Sequence, residues 1–252
     1  MEIFSLADDR AIVTGGGSGL GTAIAECLIA AGARVVICGR RESALQRTCR
    51  RLGERTSYVV HDVTDVAQSD RLVAAAAREN GGPATILINN AGIHLRKPAL
   101  EETPEECRQL FDTHVLGALA LARAVAPGMI EQGRGSMVFV TSMAALFGIP
   151  GVTAYSAAKS ALLGLVRTLA VEWSPHGVRV NAVAPGWIET AMSHRVLEAD
   201  PQRRDRVLQR TPLGRFGQPS DVGWAAVYLC SPQAQFVTGQ QLVVDGGVSV
   251  GF

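Results

Sequence analysis

The chain has 252 residues, 47% of them apolar, with 27 glycines and a formal net charge of +1. That length suits one or two domains, single α/β domains often reaching roughly 200–250 residues. The near-zero charge excludes a long-range pull toward nucleic acid or an anionic membrane. Five cysteines, at 27, 38, 49, 107 and 230, form an odd set with no C-x-x-C pair, and read as reduced thiols. The opening residues M-E-I-F-S-L-A-D-D-R lack the basic start and apolar core of a signal peptide, and no apolar run approaches bilayer-spanning length. A soluble, cytoplasmic protein is expected.

Short β-branched runs alternate with longer helical patterns, the signature of βαβ units and a parallel sheet with helices on both faces. The first strand, 11–14, runs into Thr14-Gly15-Gly16-Gly17-Ser18-Gly19-Leu20-Gly21 and a helix over 19–31. Glycines there allow a tight turn and bring backbone N–H groups up to a pyrophosphate at the helix N-terminus. Gly15, Gly17, Ser18, Gly19, Leu20 and Gly21 are the candidate contacts; the plainer reading is an ordinary turn. A second strand, 34–38, ends in Ile37-Cys38-Gly39-Arg40-Arg41 ahead of a helix over 42–52. An acid at this place would accept from the adenine ribose and favour NAD(H), whereas guanidinium groups pair with a 2′-phosphate. NADP(H) is therefore the preferred cofactor and NAD(H) the other, with Arg40 as first contact and Arg41 as second. Solvent-facing arginines at a helix start are the alternative, and Ser18 adds no positive charge.

The third strand, 57–60, leads into His61-Asp62-Val63, where Asp62, beside Val63, can accept from an adenine amino group. A helix over 65–79 and a strand at 86–89 follow, the latter ending in Asn89-Asn90-Ala91-Gly92. Asn90, Ala91 and Gly92 are small enough for close packing against adenosine. Thr103-Pro104-Glu105-Glu106 opens one long helix over 104–131. Next come a strand at 136–140, a helix over 154–174 and a strand at 179–184. A charged excursion over about 186–217 contains a short helix around 192–208. Gln218-Pro219-Ser220-Asp221 then opens a helix over 219–231, and a strand at 241–244 follows. The pattern predicts one doubly wound domain over 1–252, with seven parallel strands. The excursion follows a strand's C-terminal end, where open parallel sheets bind ligands, so it reads as a substrate lid or as a solvated surface helix.

Ser142 precedes Tyr155 by thirteen positions, and Lys159 follows in Y-S-A-A-K. On a helix, residues four apart share a face. A phenol has a reference pKa of about 10, and a neighbouring cation typically lowers it by roughly 1–3 units. Tyr155 then becomes a usable general acid or base, and a serine hydroxyl at a strand end can hold the substrate oxygen beside it.

Together T-G-G-G-S-G-L-G, H-D-V, N-N-A-G, Ser142, Y-S-A-A-K, N-A-V-A-P-G-W-I-E-T and the closing D-G-G resemble a single-domain short-chain dehydrogenase/reductase, essentially end to end. The resemblance implies a Rossmann fold, a nicotinamide cofactor, hydride transfer between a ketone and a secondary alcohol, and a homotetramer. It implies that Ser142 polarises the substrate oxygen, that Tyr155 exchanges its proton, and that Lys159 binds the nicotinamide ribose and lowers the tyrosine pKa. Pro185, Gly186, Ile188 and Thr190 would line the nicotinamide, and Asn90 would lie beside the adenosine ribose. The chain departs from the family at His114, where an asparagine usually helps hold a water in a proton relay to the lysine. Histidine either does the same through its ring nitrogens or fills the space and leaves the relay rerouted.

Ile93-His94-Leu95-Arg96-Lys97-Pro98 and Arg210-Thr211-Pro212-Leu213-Gly214-Arg215 are similar to gluconate 5-dehydrogenases and related sugar-acid reductases of the family. His94, Arg96 and Trp187 are candidate substrate contacts for a polyol bearing a carboxylate, with a solvated loop as the alternative for the basic residues. A 3-oxoacyl-thioester reductase or a broad carbonyl reductase is the competing activity, and a non-catalytic nucleotide-binding protein a minor one. The five histidines lack ligand-like spacing, so no metal is expected. Of the apolar residues Leu119, Leu121, Leu162, Leu163 and Leu165 on the two long helices, some are expected to pack in the core and the rest to form subunit contacts, with the stretch 242–252 docking on a neighbouring subunit.

Overall fold

The computed structural model describes residues 3–190 and 201–251. Seven parallel strands, β1 (Arg10–Thr14), β2 (Arg34–Gly39), β3 (Thr56–Val60), β4 (Ile86–Asn89), β5 (Gly135–Val140), β6 (Val178–Pro185) and β7 (Gln241–Val244), stand in the order β3-β2-β1-β4-β5-β6-β7. Each overlaps the strand expected from its β-branched run, with ends differing by a residue or so. Val13 pairs with Ile37 on one side and Ile88 on the other. The chain's winding reverses between β1 and β4, which opens a crevice at the C-terminal ends of those strands.

Period-two alternation sends successive strand residues to opposite faces. Val13, Val35 and Ile88 pack against α1 (Gly19–Ala30) and, through Ile37 and Leu45, against α2 (Glu42–Leu52). Ile12, Val36 and Phe139 pack against α3 (Ser69–Asn80) on the other face. That same face carries α4 (Pro104–Phe111), α5 (Gly117–Glu131) and the 21-residue α6 (Thr153–Trp173). Two further helices, α7 (Pro201–Arg210) and α8 (Pro219–Cys230), follow β6, and α8 joins the α1 layer. Residues 192–200 of the helix expected around 192–208 lie outside the described residues; the described remainder is α7.

The single helix expected over 104–131 is instead two α-helices joined by a π-turn at Asp112–Leu116. Its start is as expected: Thr103 Oγ1 accepts from the Glu106 N–H at 3.2 Å and Glu106 Oε2 accepts from the Thr103 N–H at 2.8 Å. The widened turn is supported by Thr113, whose hydroxyl donates to the Gln109 carbonyl at 2.8 Å, and it carries His114 into the interior. Over Pro104–Glu131 the mean hydropathy reaches 1.4 in an 18-residue window, long and apolar enough by composition to cross a membrane, contrary to the expectation that no run would be. Half of that window is buried inside the protein, where Leu121, Val125 and Met129 pack as a core helix does.

Candidate active site

The crevice beyond β1 and β4 holds two joined clefts. One, of about 140 Å³, is lined by Gly17, Arg40, Arg41, Asp62 and Val63 among others. The second, of about 390 Å³, is lined by Gly19, Leu20, Gly21, Asn90, His114, Ser142, Tyr155 and Lys159, and by Pro185, Gly186, Ile188 and Thr190. Gly15, Ser18, Ala91 and Gly92 line both. All the residues that the sequence nominates for cofactor binding thus lie along one continuous surface. His94, Arg96 and Trp187 line the larger cleft as well.

The glycine turn is shaped for a close-fitting group. Gly15 has φ +67°, and a Cβ on it would come within 2.9 Å of Asn90 Nδ2. Gly21 is tighter still, since a Cβ there would collide with the Gly15 carbonyl. α1 has neither a side-chain cap nor an acid in its first turn, so its N-terminal N–H groups face the cleft available to a phosphate. The turn is tied to its neighbour through Thr14, whose hydroxyl accepts from the Asn90 and Ala91 N–H groups at 2.9 and 2.8 Å. Asn90 Nδ2 donates to the Thr14 carbonyl at 2.8 Å, so this amide braces the cleft wall as well as lining it. These features fit the dinucleotide that the fold implies.

At the far end of the smaller cleft the two arginines part company. Arg40 points toward Asp62, with Nη1 3.9 Å from Oδ2. Arg41 reaches back across the turn, where Nη2 donates to Ser18 Oγ at 3.4 Å. A guanidinium therefore covers the loop position at which the sequence itself supplies only a hydroxyl.

In the larger cleft, Ser142 follows β5 and its hydroxyl accepts from the Ala144 N–H at 3.1 Å. The Tyr155 phenol stands beside it in the same cleft. Lys159 lies one turn along α6, buried, donating from Nζ to the Val140 carbonyl at 2.7 Å and standing 5.7 Å from the Tyr155 ring centre. Burial pushes the tyrosine pKa up, with the Ser142 hydroxyl pulling the other way. Burial also brings Lys159 down to about 7. The depression of the tyrosine expected from its neighbouring cation is thus not found. The reason is that the same burial that brings the two groups together disfavours both charged forms.

Two histidines flank the phenol, with His94 at 4.9 Å and His114 edge-on at 5.5 Å between ring centres. Burial, and then the charge of Lys159, hold His114 down to about 3, so the ring is neutral. Its Nε2 lies 2.8 Å from the Ile93 carbonyl, while Nδ1 is buried without a partner. Asn89 Nδ2 is in the same state, and both residues line a small pocket of about 10 Å³ that also touches Thr14 and Lys159. The sequence reading quoted Asn89 only as the first residue of N-N-A-G and gave it no role, and it missed the apolar walls Met143, Ile149 and Val152, which belong to no motif.

Residues 15–249 match the family model described as enoyl-(acyl carrier protein) reductase. The chain is 40% identical over 252 residues to gluconate 5-dehydrogenase of Gluconobacter oxydans, covering 99% of this chain and 98% of that one. It is 39% identical to galactitol 2-dehydrogenase (L-tagatose-forming) of Cereibacter sphaeroides, with 98% of each covered. Among solved structures, a gluconate 5-dehydrogenase from Burkholderia cenocepacia in complex with NADP and tartrate superposes with a TM-score of 0.93 at 34% identity, covering 100% of this chain and 99% of that one. With its parallel sheet, its glycine cradle and the Ser142–Tyr155–Lys159 cluster, the chain belongs to the short-chain dehydrogenase/reductase family.

Proposed function

We propose that the protein is an NADP(H)-preferring oxidoreductase that interconverts a ketone and a secondary alcohol on a sugar acid or polyol. The observation that carries this reading is the Ser142, Tyr155 and Lys159 cluster in a cleft that Arg96 also lines. Lys97 is neutralised by Glu106 at 3.1 Å, but Arg96 has no acidic partner among the described residues. A carboxylate-bearing substrate supplies one. The gluconate and galactitol dehydrogenases among the relatives support the same substrate class.

In the reductive direction Ser142 holds the carbonyl oxygen and the Tyr155 hydroxyl gives it a proton; in the oxidative direction the phenolate takes the proton back. When bound, the nicotinamide cofactor supplies or accepts the hydride. Lys159 and the walls of the cleft hold the reactants in register. For cofactor choice, Arg41 over Ser18 and Arg40 at the cleft rim together present two guanidinium groups to a 2′-phosphate.

One assay series tests both parts: 5-keto-gluconate, an acetoacetyl thioester and simple ketones, each with NADPH and NADH. The keto sugar acid with NADPH is the expected best pair. In the Arg41→Ser variant the NADPH-over-NADH ratio of kcat/KM should fall by about 10- to 100-fold, the range of one to two charge-assisted bonds. Good turnover of thioesters with none of keto sugar acids would reverse the substrate assignment, and an unchanged ratio would remove Arg41 from the cofactor site.

His114 belongs to the proton path in this reading. His114 Nε2 faces both the Ile93 N–H, at 3.3 Å, and the Ile93 carbonyl, at 2.8 Å; in the tautomer that gives Nε2–H to the carbonyl, Nδ1 is an acceptor, and the pocket that His114 lines with Asn89 and Lys159 has room for one water. Such a water links Lys159 to the imidazole, the task asparagine usually serves in the family. His114→Asn should change the pH profile of kcat. It should also flatten acid destabilisation. The folded pKa of about 3 lies below the unfolded value, so the unfolded chain binds more protons between about pH 3 and 6.5, and stability falls as pH drops through that window. Identical pH–activity curves for wild type and variant would exclude His114 from the path.

A further inference from the structure

We infer that Glu102 is a positioning residue for the reaction, fixing the first turn of α6 and with it the phenol of Tyr155; the inference rests on reading Tyr155 as the proton donor. α6 begins at Thr153, yet its N-cap, Val152, offers no side-chain bond, and no acid stands in the first turn. The helix's first ladder bond runs from the Ser156 N–H to the Val152 carbonyl at 2.8 Å, which leaves the N–H groups ahead of Ser156 to find partners elsewhere.

The missing cap comes from 52 residues away. Both Glu102 carboxylate oxygens face the Ala154 N–H, at 3.2 and 3.4 Å. Ala154 is buried and immediately precedes Tyr155. Glu102 is half-buried, and no lysine or arginine among the described residues pairs with it, so its negative charge is matched by the helix N-terminus. Its own backbone is held in place, because Thr103, the next residue, is locked in the reciprocal cap with Glu106. A second tie joins the same two segments: the Lys97 N–H donates to the Gly151 carbonyl at 2.8 Å. The strap between Lys97 and Thr103 therefore connects the start of α4 to the start of α6. It also continues directly from His94 and Arg96 in the cleft wall. A carboxylate placed there sets how far the first turn of α6 advances toward Ser142.

The experiment compares Glu102→Ala, Glu102→Gln and Tyr155→Phe in the full chain, by steady-state kinetics and by amide hydrogen exchange along α6. Glu102→Ala should lower kcat about tenfold, the scale of a sub-ångström displacement of a catalytic group. The KM for cofactor should stay within about twofold, and the Ala154 amide should exchange faster. Glu102→Gln keeps an acceptor oxygen and should recover most of the turnover. Should Glu102→Ala not fold, Glu102→Asp, one methylene short of Ala154, carries the same expectation. Wild-type kcat in Glu102→Ala beside an inactive Tyr155→Phe would overturn this inference alone. An equal loss in the Gln and Ala variants would also overturn it, whereas an active Tyr155→Phe would overturn the reading on which it rests.

Discussion

Replacing Tyr155 by phenylalanine should reduce turnover by about 10²- to 10⁴-fold while leaving cofactor binding within a few-fold of wild type. The range is that of a positioned general acid or base. The substitution is clean in this setting. Phenylalanine keeps the ring that packs against His94 and His114, and the Ser142 hydroxyl retains its bond from the Ala144 N–H. What disappears is the phenolic hydroxyl beside Ser142. Cofactor titration by fluorescence separates binding from chemistry. Turnover within tenfold of wild type would mean that another group protonates the substrate oxygen.

Lys159→Met should abolish most activity and at the same time stabilise the protein. Lys159 is buried on α6, with a folded pKa of about 7 against the ordinary 10.5. Between those values the unfolded chain binds the extra proton, so wild-type stability should rise with pH from 7 upward, by at most about 1.4 kcal/mol per pH unit. The cysteines oppose this at higher pH. Burial raises Cys27 to about 11 and Cys38 and Cys230 to about 12, so they bind protons more tightly in the folded state above their ordinary 9. The clean window is therefore about pH 7 to 8.5. Urea unfolding across that window should show a rise in wild type and none in Lys159→Met. At pH 7 the variant should be more stable by on the order of a few kcal/mol, less the lost bond to the Val140 carbonyl. A wild-type slope in the variant would show that Lys159 is not the titrating group. The trade is a familiar one: a site residue held against its own solvation preference serves chemistry at the expense of stability.

The sheet was legible because strands covered on both faces must be apolar throughout, as in Ile12-Val13, Val35–Ile37 and Ile86–Ile88. The glycine turn and the Ser142–Tyr155–Lys159 spacing were legible for a different reason: backbone approach and helical periodicity leave local marks. Three features were not. The π-turn at Asp112–Leu116 interrupts a run that reads as one helix, since an extra residue in a turn leaves no break in composition. The direction of the tyrosine pKa depends on how deeply Tyr155 and Lys159 are buried, which spacing four apart does not contain. Arg41 folding back over Ser18, and Glu102 meeting Ala154, join residues 23 and 52 positions apart through side-chain rotamers. Those contacts are products of tertiary packing alone.

The pairing of Gly92 with His114 reaches past catalysis into how this chain can change. A methyl group on residue 92 would overlap the imidazole ring, its nearest atom being Cε1. Alanine at 92 is therefore tolerable only after 114 has become a shorter side chain, and the reverse order passes through a clashing intermediate. The two sites are epistatic, with one permitted mutational path between the histidine-bearing pocket and a smaller-residue version of it.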